Sequence, residues 1–497
     1  MKKILGILLL MGTMICLLAA CRSGKNPETT DTEADSGSAD TTLEEILGFA
    51  EEDNEDKPFN VLVNNKYAHF DMKSDFIGSE TGDIVESEVF RRTQECNDYL
   101  GIDIQYIQQD GSYNSNVINI LSAVSMAGGE DSYQMVAIGL NTGIMGQTIS
   151  IFMNVLEMRY IDPTHEWWVQ DVSEQVSMNE QLYFLTGDFA ISTYGYLGCV
   201  YANLQVAADN DLNTDFYSTV KSGDWTMDMF FSLYADVGTG SNSYDTDREH
   251  ATLGWANVST GVRVMWSSCN VSLFDRDEET EAFSLKTSLD DRTITFIDKL
   301  KREYEKPNTY YFGDDELATA DTLFINDRCL FYTYYLYKAK DFNSGGMESD
   351  FAILPLPKYD SDQSDYISTN VSAYNALFFL SSTANPDLSG KVAEFMGWFG
   401  KEAIIPTYYD NYLKLRSSKK EENIEMLDLI REKLRISPNE LFGVIENVIG
   451  RTALTDENVL NLTTEAPFYS YPVSQWEKIQ RVANRKIQEY IMKYYGQ

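Results

Sequence analysis

"FNVLVNN", Phe59 to Asn65, sets Phe59 and the apolar triplet Val61–Val63 ahead of two amides, and its continuation decides the fold. A short apolar run with β-branched residues reads as a buried strand. Further on, Asp83 stands three residues before Glu86, a capping signal, and Val89, Cys96, Tyr99 and Leu100 fall toward one side of a helix that Gly101 stops. "IDIQYIQ" (Ile102–Gln108) is a second strand, Asn116–Met126 a helix closed by Gly128 and Gly129, and "YQMVAIG" (Tyr133–Gly139) a third strand. This β-α-β-α-β alternation predicts a parallel sheet with right-handed crossovers. Ligands of such sheets gather at the carboxyl ends of the strands. Those ends are Asn64-Asn65-Lys66, Gln109-Asp110 and Gly139–Asn141, which makes Asn65, Asp110 and Asn141 candidate ligand contacts.

Upstream of the first strand, Lys2 and Lys3 open the chain and Ile4–Ala20 carries no charge. A basic start followed by an apolar run is the pattern of a secretory signal. The run is short for a spanning helix, which needs about 20 apolar residues and usually a charged flank. Leu18-Ala19-Ala20-Cys21 resembles the bacterial lipobox, in which the cysteine is acylated and becomes the first mature residue. Residues 1–20 are thus expected to be a lipoprotein signal peptide. Residues 21–57, rich in Ser, Thr, Gly, Asp and Glu, are expected to follow as an acidic, disordered tether. Within it, Leu43–Ala50 has the pattern of a helical turn or two.

The 497 residues hold 39 Lys+Arg against 77 Asp+Glu, a net charge of −38, which opposes binding to nucleic acid or to an anionic lipid surface. At 43% hydrophobic and 13% aromatic, the chain can bury large cores, and its length suggests two or three domains or lobes. Cys96, Cys199, Cys269 and Cys329 are widely spaced with no CxxC, which leaves disulfides and buried thiols both open. Near the end, Ser474 to Glu477 form a capping box before an apolar stripe at helical spacing from Trp476 to Tyr494.

Four stretches together resemble the lipid-anchored extracellular solute-binding proteins of Gram-positive bacteria, the carbohydrate-type receptors of ABC importers. They are "YIDPTHEWWVQDVSEQVSMNEQLYFLTGDFAIS" (Tyr160–Ser192), "CVYANLQVAADNDLNTDFYSTVKSGDWTMDMF" (Cys199–Phe230), "FINDRCLFYTYYLYKAKDF" with "DFAILPLPKYDSDQSDY", and "AIIPTYYDNYLKLRSSKKEENIEMLDLI" (Ala403–Ile430). The sequence departs from the family's pattern at Leu204, where a basic residue is usual, and at Asp327, where glycine is common. The resemblance implies an α/β, two-lobed periplasmic-binding-protein-like fold with an interlobe hinge. Lobe I would comprise 58–190 and 356–425, and lobe II 191–355 and 426–497, with Asp188–Tyr194 and Pro355–Tyr366 as the crossings. It further implies a cell-surface monomer, anchored to the membrane by the lipid on Cys21. Such a receptor takes a small-molecule solute, a sugar or oligosaccharide, to ABC permease subunits, with no cofactor and no catalysis.

The motifs that remain are weighed on their chemistry. Trp167 and Trp168 read as packing beneath a loop, and Trp225, beside the candidate N-cap Thr226, as a packing residue. Trp255, read at a strand exit, and one of Tyr334 or Tyr335 are candidate stacking faces for a sugar ring. Asp188, like Asp110 and Asn141, ends a strand with a group suited to sugar hydroxyls, although such residues also cap helices. Metal signals are weak. Asp209–Phe216 lacks the glycine of a calcium loop and "DRDEE" (Asp275–Glu279) reads as a wet loop, while "HEWWV" lacks the second histidine of a zinc-protease helix. There is no G-x-S-x-G and no P-loop. A surface glycoside hydrolase and a ligand-sensing co-receptor for a membrane kinase are the rival readings.

Overall fold

The computed structural model describes residues 41–65, 72–109, 115–128, 132–147, 150–170, 172–238, 251–258, 261–313, 316–370, 374–410, 420–441, 484–485, 488–489 and 491–495. The signal region, Cys21, Asp110 and most of the C-terminal stripe lie outside them.

The first sheet follows the expected alternation. Strand β1 (Lys57–Asn64) leads to helix α1 (Ile84–Leu100), β2 (Ile102–Gln109), α2 (Ser115–Met126) and β3 (Met135–Gly139). β1 pairs in parallel with β2 along its whole length and with β3 on its other side. Asp83 and Glu86 form the capping box of α1, and Gly101, at φ 58°, ends it in the left-handed conformation that glycine adopts without strain. The polypeptide then passes through a short helix α3 (Val172–Val176) and a crossing helix α4 (Ile191–Gly195) into β4 (Gly198–Asn203).

The second sheet is mixed, in the order β10-β4-β9-β5-β8. It holds β4, β5 (Leu253–Val258), β8 (Thr309–Phe312), β9 (Cys329–Tyr335) and β10 (Phe351–Pro355), with a separate hairpin of β6 (Phe274–Arg276) and β7 (Phe283–Leu285). β11 (Asn375–Phe378) returns to the first sheet, antiparallel to β3, and helix α5 (Pro386–Phe399) packs on α1. Helix α6 (Lys420–Glu432) lies on β10, where the Asn423 side chain accepts from the Ile353 amide at 2.8 Å. Two α/β lobes result.

Three details differ from the sequence reading. The tether is docked at its end: Phe49 is buried, Tyr99 Oη donates to its carbonyl at 2.8 Å, and Lys391 pairs with Glu52. An aromatic ring amid an acidic run buries itself once Tyr99 and Tyr160 offer edges to it. The second crossing is not Pro355–Tyr366, which stays on the second lobe. There Trp225 Nε1 donates to the Pro355 carbonyl at 2.8 Å and Tyr366 Oη to the Val220 carbonyl at 2.9 Å. The chain crosses instead at Ser368–Asn370: Gly198 N donates to the Thr369 carbonyl at 3.0 Å and Leu197 bridges Asn370. The two crossings therefore run antiparallel against one another, and Leu434 bridges Ser368 alongside them. Finally, α6 already packs on the second lobe at Asn423, ahead of residue 426.

The four cysteines Cys96, Cys199, Cys269 and Cys329 are free and buried. Burial pushes the thiols of Cys96, Cys269 and Cys329 up to about 12, so they stay protonated and act as small apolar groups.

Candidate functional site

The carboxyl edge of the first sheet carries the amides. Asn65 follows β1 and its N–H donates to the Gln109 carbonyl at 3.0 Å, joining the ends of β1 and β2. Asn141 begins the helix after β3, and its Oδ1 accepts from the Thr142 amide at 2.7 Å, the local capping role open to such residues. Asn64, the last residue of β1, is 1% exposed, with neither its Oδ1 nor its Nδ2 hydrogen-bonded. A buried amide left in this state costs roughly 1–3 kcal/mol. Asn64 lies beside the sequence candidate Asn65, and its signal in the sequence is a polar residue directly after the apolar triplet Val61–Val63.

Beneath this edge lies a buried polar knot. The Asp75 carboxylate accepts from Ser192 N at 3.0 Å, Ser192 Oγ at 2.5 Å and Asn375 Nδ2 at 2.8 Å. Arg92, from α1, donates to the carbonyls of Asp75 and Phe189, both at 2.6 Å. Burial pushes the Asp75 carboxyl up to about 6 against these hydrogen bonds. The knot ties the turn after β1 to the first crossing and to the start of β11. No spacing rule reveals it, because its hydrogen bonds join residues 17 to 300 positions apart.

Asp188 opens the first crossing. It is buried and pairs with Arg431 of α6 at 2.8 Å, while Tyr194 Oη donates to its other oxygen. Burial raises its carboxyl to about 6, with the Arg431 charge opposing. The chain just past α5 runs close behind it: a Cβ on Gly400 would lie 2.1 Å from the Asp188 carbonyl oxygen. Asp188 is thus committed to a joint between the lobes.

In the second lobe, Tyr334 and Tyr335 close β9 at the edge where the first crossing enters β4, Tyr335 opposite Gly198. Successive side chains of a strand point to opposite faces, yet these two rings are 4.5 Å apart, and Tyr196 and Tyr337 complete the cluster. Tyr334 and Tyr335 are buried, and Tyr337 is half-buried, with its ring against Tyr196, Tyr334 and Tyr335 and the Lys338 ammonium 5.6 Å over it. Trp255 is elsewhere. β5 continues to Val258, so Trp255 is its third residue rather than a strand exit, and it is fully buried. Its ring stacks on Tyr304 at 5.4 Å and meets Phe230 edge-on at 5.3 Å, and its N–H donates to Thr333 Oγ1 at 2.8 Å.

Trp167 and Trp168 are packing residues of an unexpected kind: both indole N–H groups reach Glu394 of α5, at 2.8 and 3.1 Å. His165 Nδ1 and the Asp162 amide, each at 2.8 Å, complete four donors on this buried carboxylate. A cavity of about 210 Å³ lined by Pro163, Trp168, Leu182 and Phe184 lies nearby, and none of the sequence-predicted contacts lines it. Among the described residues no cluster of metal-ligating side chains occurs, and Asp277 in "DRDEE" accepts the amides of Glu279 and Thr280 to close the β6–β7 turn.

No protein-family model matches the sequence, and no curated protein matches it. Solved structures do match. The galacto-N-biose/lacto-N-biose I-binding protein of an ABC transporter from Bifidobacterium longum, in complex with lacto-N-biose, superposes with a TM-score of 0.53 at 11% identity, over 90% of this chain and 99% of that one. A cyclo/maltodextrin-binding protein complexed with maltotetraose gives 0.51 at 10% identity, over 88% and 96%. The chain has the fold of ABC-transporter sugar-binding proteins.

The Asn64 amide supplies a test of which groups serve a ligand. Asn64→Leu, near in volume, is expected to leave the midpoint of urea unfolding unchanged or higher, because an unsatisfied amide is replaced by an apolar group. If Asn64 serves a ligand, the same variant should weaken binding of whichever saccharide the wild type takes, read by calorimetry. A fall in stability would mean that the amide is satisfied in solution.

Proposed function

We propose that this chain is a membrane-anchored extracellular receptor that binds a sugar or oligosaccharide between its lobes and delivers it to an ABC permease. The observation that carries the reading is the pair of α/β lobes joined by antiparallel crossing strands, each lobe turning its strand ends toward the joint. One edge offers Asn64, Asn65 and Asn141, and the other Tyr334, Tyr335 and Tyr337. Amides provide donors and acceptors for hydroxyl groups, and tyrosine rings provide apolar faces for the C–H side of a pyranose. The fold supports this reading, since the similar solved structures hold lacto-N-biose and maltotetraose. On this reading one lobe comprises the first sheet with residues 374–410, and the other comprises 198–366 and α6. The protein binds without catalysis, as a monomer.

Calorimetric titration with maltotetraose, lacto-N-biose, a short peptide and spermidine tests it, using unfolding as a second readout. A saccharide present at 100 times its Kd adds about 2.7 kcal/mol to stability. Binding of the peptide or the polyamine with no saccharide bound would overturn the proposal, and turnover of maltotetraose would favour a hydrolase.

The anchor is proposed at Cys21. Among the described residues no helix is long and apolar enough to cross a membrane. Cys21→Ser is expected to move the protein from the membrane fraction to the medium, or to leave the leader uncut. A mutant that is cut and still sediments with membranes would rule the anchor out. Retention by one acyl chain is marginal, so more than one chain is expected on this cysteine.

A further inference from the structure

The crossing strands are not the sole tie between the lobes. Helix α3 belongs to the first lobe: before it the Val169 amide donates to Thr186, and after it Leu185 bridges Leu377 of β11. The last carbonyls of any helix lack partners within it, and a cation there is favourable. Here those partners come from the second lobe. Arg276, on β6, donates to the carbonyls of Glu174 and Ser177, the latter at 2.8 Å. The Ile436 amide donates to Gln175 Oε1 at 2.7 Å, and Tyr495 Oη donates to the Val176 carbonyl. Four consecutive residues of one lobe are thus gripped from three separate places.

The grip is built in advance. The Arg276 guanidinium lies 5.3 Å over the Phe283 ring of the same hairpin and 3.5 Å from Glu281, so its direction is set before it meets α3. The hairpin is held in turn: Gln488 Nε2 donates to the Phe283 carbonyl at 2.6 Å, and the Leu285 amide donates to Asn484 at 3.1 Å. The same C-terminal segment sets Tyr494 edge-on against Tyr183 at 5.6 Å. Rotation of one lobe about the crossings must break these bonds or carry α3 away from its own lobe.

We propose that the β6–β7 hairpin and the C-terminal segment form an interlobe latch on α3, with Arg276 as its main contact, which fixes the resting angle between the lobes. The latch acts without ligand and does not depend on what the protein binds. For a two-state hinge, changing the resting population changes apparent affinity by the same factor.

The test uses ligand-free protein with spin labels at Met126→Cys in the first lobe and Lys301→Cys in the second, both exposed positions. Arg276→Gln is expected to shift or broaden the interlobe distance distribution, and to speed amide exchange across residues 174–178 by about tenfold or more. Arg276→Lys, which keeps the charge and loses the fork, should fall between the two. A distribution for Arg276→Gln that superimposes on that of the parent overturns the proposal. Should Arg276→Gln fail to fold, Tyr495→Phe, which removes one hydroxyl, must still shift the distribution; no shift overturns it equally.

Discussion

Replacing Glu394 with alanine is expected to cost this protein more stability than any other single polar substitution described here. Each carboxylate oxygen takes two donors. Oε2 accepts from His165 Nδ1 and Trp167 Nε1, and Oε1 from Trp168 Nε1 and the Asp162 amide. Alanine strands all four, and a buried donor without a partner costs roughly 1–3 kcal/mol. Partial relaxation toward water through half-exposed His165 brings the expected total to about 4 kcal/mol. Glutamine should rescue little, because its NH₂ would face donors. The geometry leaves no slack: a Cβ on Gly397 would lie 2.3 Å from Trp167 Cδ1, so the indole lies directly on α5. Urea unfolding reads the cost, and a double-mutant cycle of Glu394→Ala with Trp167→Phe isolates one indole bond. A loss below about 1 kcal/mol would mean that water replaces the carboxylate at little cost.

The pH dependence carries the same signature. The hydrogen bond to Glu394 raises the His165 pKa above its ordinary 6.5, with burial opposing. The stability this contributes is therefore fully present below pH 6.5 and is lost as pH rises through the higher folded value. In Glu394→Ala that part of the slope should vanish.

Trp255→Ala is expected to cost about 3–5 kcal/mol, the range for removing a large aromatic from a core. The ring is enclosed by Phe230, Phe231, Tyr234 and Tyr304, all of the second lobe, and its N–H is spent on Thr333. Truncation opens a cavity among side chains that cannot all collapse into it, and leaves Thr333 Oγ1 without its donor. Calorimetry well below the unfolding transition should find saccharide affinity unchanged. Weakened binding with an unchanged melt would instead place the ring at a ligand surface. Trp255→Phe should lose less, since the six-membered ring keeps most of the contact.

The first sheet was legible in the sequence because its signals are local. The Asp83–Glu86 capping box, the helical spacing from Val89 to Leu100, Gly101 and the apolar strands each act within a few residues, and each does so in the structure. The second lobe is different in kind. Its strands β4, β5, β9 and β10 are buried on both faces, so they show no alternation, and neither the end of β5 nor the faces of Tyr334 and Tyr335 is marked in the residues. Trp255 could therefore be read at an exit when it lies mid-strand.

Only the tertiary structure decided the polar pairings. Trp167 meets Glu394 across 227 residues, Asp188 meets Arg431 across 243, and Asn375 meets Asp75 across 300. A carboxylate becomes a structural centre when burial leaves it no water and the fold brings donors to it, and neither condition is written near it in the chain. The second crossing was decided in the same way. Pro355 and Pro357 constrain their own backbone angles, but Trp225 and Val220 of the second lobe hold that segment in place, so the chain crosses a few residues later at Ser368–Asn370.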